Sequence, residues 1–228
     1  MIPLGASRRL PRAPWMTRAI VAVNVAAFIW ELSAGNVAGR ALYQLGVVPS
    51  DWQVGSPSDF LDWPRLFLSL LSAQFLHAGA LHLWVNLHYL WVFGGAIECR
   101  AGSLRFLLGY LGCGVLAAVT QILIRPHGVS PMVGASGAVA GVLGAFLVLA
   151  PGARIRTLGW AHARPAIVEL PGAVWLAAWF LLQWGLSLAA IWQVTDVGGV
   201  AVWAHLGGFV GGIAWGRLIL WQASHQHA

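Results

Sequence analysis

Four residues in this chain could do chemistry together: Ser136 at the head of one apolar run, His205 about two turns into another, and His82 with Asn86 in a third. His82 and Asn86 stand four residues apart, so on a helix they share a face and offer two hydrogen-bonding groups to one place. A serine hydroxyl can hand its proton to an imidazole held about 2.6–3.2 Å away, which requires close approach of the two helices that carry them. Small residues run with both partners. Gly137, Gly141 and Gly144 follow Ser136, and Gly208 and Gly212 follow His205. Ala140 and Gly144 fall beneath Ser136 on a helix, Gly208 and Gly212 beneath His205, and such small-xxx-small stripes let backbones meet. Gly134, at the entry to the Ser136 run, is grouped with these packing glycines. His88 lies about 240° round from His82 and faces elsewhere.

Lipid is the solvent in which these groups must be positioned. Of 228 residues, 59% are hydrophobic and 9% charged, against roughly a quarter charged in a soluble domain. A soluble monomer is excluded. Fourteen Trp and 28 Gly fit a multi-pass membrane protein. Intervals between charges and Gly/Pro punctuation predict an all-α bundle of six transmembrane helices, at about 17–33, 81–97, 104–124, 136–149, 172–192 and 199–221. Residues 15–222 form one membrane domain, 1–14 a flexible basic tail and 223–228 a short C-terminal tail. A connection with Asp51, Asp59, Asp62 and Arg65 follows the first span. The break at His77-Ala78-Gly79-Ala80 separates an interfacial helix from the second span. All 13 basic residues are Arg. An inside N-terminus and C-terminus leave only Arg40, Arg65 and Arg125 outside, ten against three. Ser136, His205, His82 and Asn86 then share the outer leaflet.

Polar side chains inside spans mark function by default, but plainer readings stand beside this one. Gly-Ala-Ser-Gly is commonly a packing motif, His205 could be a satisfied interior histidine, and Asn86 could only join two helices. His77 and Gln183 read as structural or gating residues, Cys99 and Cys113 as small packing residues. A metal site lacks a His-Glu-x-x-His motif, and the nearest carboxylate, Glu98, lies at the far end of its span. The arginines flank apolar runs and leave no basic face for nucleic acid. A transporter would need midplane charges and paired broken helices that this chain lacks.

Three stretches, FLHAGALHLWVNLHYLWVFGGAIE at 75–98, GASGAVAGVLGA at 134–145 and AHLGGFVGG at 204–212, resemble the rhomboid intramembrane serine proteases in content, order and separation. The resemblance covers roughly residues 15–220. It implies Ser136 as nucleophile, His205 as general base and acid, and His82 and Asn86 as oxyanion partners, with no metal or cofactor. It also implies that membrane lipids surround the protein and that transmembrane protein substrates are cut within or beside their spans. The alternative is an inert rhomboid-like scaffold that binds transmembrane helices. Two positions depart from the family pattern. Arg65 follows Pro64 and lies twelve residues before His77, where the family commonly has a Trp-Arg pair eight residues before. Ala140 replaces an aromatic often found under the catalytic histidine, so His205 needs another partner. No carboxylate is expected at the dyad: Glu31 and Glu98 are placed at membrane edges, and Asp196 precedes the sixth span. The Gly-lined site suggests small side chains at the cut, and Trp84, Trp91, Trp175 and Trp179 on spans two and five are candidate gates. Arg without Lys and the lack of an organelle address make a bacterial cytoplasmic membrane the expected location, with the active site toward the outer or periplasmic side.

Overall fold

A computed structural model describes residues 2–6, 11–53, 62–161, 164–192 and 201–225. Asp59, Asp196, the Gln183 side chain and the start of the sixth expected span lie outside the described residues. The helices are α1 (Trp15–Ser33), α2 (Asn36–Leu45), α3 (Trp63–Ser72), α4 (Ala80–Tyr89), α5 (Gly95–Ala101), α6 (Ser103–Ile124), α7 (Ser136–Leu149), α8 (Gly172–Trp192) and α9 (Val202–His225). By length and apolarity, α1 and α6 are each able to cross a membrane. The α3 helix and the α4–α5 unit make a third candidate, bent by 81° at the break around His77. A π-helical turn at Leu90–Gly94 joins α4 to α5.

Glycine and alanine explain why α7 is the centre of the bundle. Every residue from Gly137 to Phe146 is buried, and the small side chains let α9 lie directly against it. A Cβ placed on Gly208 would strike the Gly137 carbonyl, one on Gly212 the Gly141 carbonyl, and one on Gly144 the Phe209 carbonyl. Backbone meets backbone along this seam, as small-residue stripes allow. Gly208→Ala should therefore lower the thermal midpoint in detergent, at a cost of about 1–3 kcal/mol for overpacking. Gly112→Ala is the control: its Cβ would meet nothing within 4 Å, so its midpoint should hold or rise.

The chain is mostly helical but not all-α. β2 (Arg154–Ala161) and β3 (Arg164–Pro171) form an antiparallel hairpin between α7 and α8, and β1 (Ile2–Ala6) pairs antiparallel with β2. A search for spans passes over such a segment, because strands of eight residues with alternating exposure carry too weak an apolar signal. The sheet also draws in five residues expected to form part of a mobile tail. His88 serves this sheet: its Nε2 lies 2.7 Å from the Pro3 carbonyl, and its ring stacks on Trp84.

Two carboxylates expected at membrane edges are buried and tie α1 to the rest. Glu98 accepts hydrogen bonds from the Met16 N–H (2.9 Å), the Thr17 N–H (2.8 Å), the Thr17 hydroxyl (2.8 Å) and the Ser103 hydroxyl (2.7 Å). It thus satisfies orphan donors at the start of α1, where the helix dipole favours negative charge. Glu31, near the other end of α1, accepts the His77 N–H at 3.0 Å and fixes the break before α4. In the first loop, Arg65 pairs with Asp51 at 3.1 Å, beneath a cluster of Trp52, Trp63 and Phe67.

Candidate active site

The turn before α7 is held from three sides. Val47 and Met132 exchange backbone hydrogen bonds, the Gly134 N–H donates to the Ala73 carbonyl at 2.8 Å, and the Ala135 N–H points at His77 Nε2, 3.5 Å away. Gly134 has φ +120°, a backbone conformation that side chains disfavour. It is a loop residue, so its use differs from that of the helix-packing glycines. A Cβ there would sit 2.6 Å from His82 Cε1, 2.8 Å from His82 Nε2 and 3.7 Å from Asn86 Nδ2. Glycine at 134 makes room for both α4 side chains. Ser136 follows at the first turn of α7, half-buried, beside backbone N–H groups that have no partner within the helix.

Both α4 groups thus face the chain two residues before Ser136. Asn86 is buried, and its Nδ2 has no hydrogen-bond partner among the described residues. A buried donor left unpaired costs about 1–3 kcal/mol, so its retention needs a reason such as a ligand or transition-state group. His205 comes from the opposite side. Its neighbour Ala204 directs its carbonyl at Gly137, 4.0 Å from where a Cβ would stand. Gly137 and Ala204, the residues next to Ser136 and His205 in sequence, therefore meet across the α7/α9 seam.

The Rhomboid domain matches residues 64–222, which hold all four of these residues, helices α4 to α8 entire and most of α3 and α9. The chain belongs to the rhomboid family. Rhomboid protein 1, mitochondrial, of Saccharomyces cerevisiae is 29% identical over 198 residues, covering 84% of this chain and 53% of the relative. Rhomboid protease GluP of Bacillus subtilis is 32% identical over 150 residues, 64% of this chain and 27% of the relative. The human presenilin-associated rhomboid-like protein, mitochondrial, is 28% identical over 164 residues, 67% and 39% of the two chains. The chain spans between about a quarter and a half of the length of these relatives.

Rhomboid proteins sit in lipid membranes, and in this chain two further side chains stand against His82 and His205. His77 lies at the bend, its backbone held by Glu31, its ring edge-on to His82 with centroids 5.2 Å apart and its Nε2 against the start of α7. The second residue is Trp179 on α8, whose ring faces His205 at 6.4 Å. Its place beside His205 depends on how α8 crosses α9, which helical periodicity does not encode. The Trp175 ring is buried against Tyr89 and Phe93, at 5.6 and 5.4 Å, and joins α8 to the α4–α5 unit. Trp84 and Trp91 are exposed.

Proposed function

We propose that this rhomboid protein is an intramembrane serine endopeptidase that uses a Ser136/His205 dyad. The observation that carries the reading is at the head of α7: Gly137 and Ala204, next to Ser136 and His205, meet across the α7/α9 seam, and the Asn86 amide, unpartnered among the described residues, stands with His82 against Gly134. The Ser136 Oγ attacks the scissile carbonyl carbon while its proton passes to His205. The tetrahedral oxyanion is met by His82, by the Asn86 Nδ2–H and by backbone N–H groups at the positive end of α7. As the C–N bond breaks, His205 gives its proton to the leaving amine. Water then loses a proton to His205, attacks the acyl group and regenerates the serine.

The span count and sidedness are part of the proposal. The six crossings are α1, the α4–α5 unit, α6, α7, α8 and α9, with the arginine excess inside. At fourteen residues, α7 is about 21 Å long, less than the roughly 30 Å hydrocarbon core. If its C-terminal end reaches the inner surface, Ser136 stops below the outer one, in a recess that water can enter. The relatives come from mitochondria and from a bacterium, and the bacterial cytoplasmic membrane is our assignment for this chain. A transmembrane substrate enters sideways between α8 and the α4–α5 unit. Trp175→Ala removes the buried ring that joins them and should raise the cleavage rate of a transmembrane substrate several-fold. An unchanged rate would move the gate elsewhere.

The test is cleavage itself. Purified protein in liposomes, mixed with a tagged single-span protein bearing small residues at the outer end of its span, should yield two fragments that are absent with Ser136→Ala. Cleavage that survives Ser136→Ala overturns the dyad.

A further inference from the structure

We infer that Trp179 is a positioning residue for the His205 imidazole, supplying from α8 the aromatic surface that α7 lacks at Ala140. The inference rests on the proposed Ser136/His205 chemistry and deepens it. Ala140 is fully buried beneath Ser136 and presents only a methyl group. The Trp179 ring centroid lies 6.4 Å from that of His205, planes 42° apart, and 6.4 Å from that of Phe209, planes 30° apart. Both separations fall within the range of favourable aromatic pairs. The indole bridges two α9 side chains one turn apart, and Phe180 closes on Phe209 at 5.5 Å from the same helix. Aromatic neighbours on two sides restrict the rotamers open to an imidazole. A misplacement of about 1 Å can cost about 10² in rate.

Trp175 and Trp179 share one helix face, four residues apart, so the sequence alone offers both as gates. Their neighbours separate them. Trp175 touches Tyr89 and Phe93 across the expected entry, whereas Trp179 touches His205 and Phe209 on the dyad side. Loss of a gate speeds the reaction, and loss of a support slows it.

The experiment compares Trp179→Ala, Trp179→Leu and Trp179→Phe with wild type in detergent. Three readings are taken: the rate of fluorophosphonate labelling at Ser136, the thermal midpoint, and the ring-current displacement of the His205 imidazole signals in a histidine-labelled NMR sample. Labelling should fall about 10- to 100-fold in the Ala and Leu variants and stay within about threefold in the Phe variant. The His205 displacement should be lost with Leu and kept in part with Phe. A simple space-filling role would be rescued by Leu, so Leu labelling at the wild-type rate overturns the inference and leaves the hydrolase reading intact. Faster labelling of Trp179→Ala overturns it in favour of a gate. A wild type that never labels yet keeps the His205 displacement brings down the hydrolase reading and upholds the contact. A wild type without that displacement overturns the contact itself.

Discussion

Ser136→Ala and His205→Ala are each expected to slow cleavage of a transmembrane substrate by about 10⁴–10⁶-fold, and the double variant should be no slower than the worse single one. The reason is that the two side chains act as one unit. Without His205 the hydroxyl keeps its proton and is a poor nucleophile; without Ser136 the imidazole has nothing to activate but water. Neither change should unfold the protein, because the close approach of α7 and α9 rests on Gly137, Gly141, Gly144, Gly208 and Gly212, which both variants keep. Fragment yield in liposomes, read beside the thermal midpoint of each variant, checks both statements. Additive losses in the double variant would mean that the two residues serve separate purposes.

Asn86→Ala should reduce kcat by about 10²–10³-fold, some 2.7–4 kcal/mol of transition-state stabilisation, with little change in KM. An oxyanion donor matters only once negative charge has formed on the carbonyl oxygen, so the ground-state complex scarcely feels its loss. Stability offers a second readout. Asn86 Nδ2 is buried without a partner among the described residues, so the substitution removes an unpaired donor and should leave the thermal midpoint level or raised. A helix-joining asparagine would behave in the opposite way, with a lower midpoint and near-normal kcat. Gly134→Ala should mimic Asn86→Ala in activity, since a Cβ there displaces His82.

Much of this arrangement is legible in single residues. Apolar runs between charges give α1, α6, α7 and α8 nearly end to end, because a span must be apolar throughout and that demand overrides local propensity. The glycine stripes mark the α7/α9 seam for the same kind of reason: only residues without a side chain permit backbone contact. The sheet is not legible because β2 and β3 lie in a connection too short and too polar to register as a span, and their partner β1 is a five-residue segment ahead of α1. The burial of Glu31 and Glu98 against backbone N–H groups is not legible in the sequence, because those partners come from distant segments. His77 and Trp179 are a matter of tertiary geometry: a bend of 81° brings one to the head of α7, and the crossing of α8 over α9 brings the other to His205.

The most direct test of the central claim needs no substrate. The purified protein is treated with a fluorescent fluorophosphonate, alongside Ser136→Ala and His205→Ala variants of matched thermal midpoint, and the modified peptide is mapped by mass spectrometry. The account predicts a single adduct on Ser136 in wild type and none in either variant. A folded wild type that stays unlabelled, or an adduct on any other residue, would contradict it and favour a rhomboid scaffold that binds transmembrane helices without cutting them.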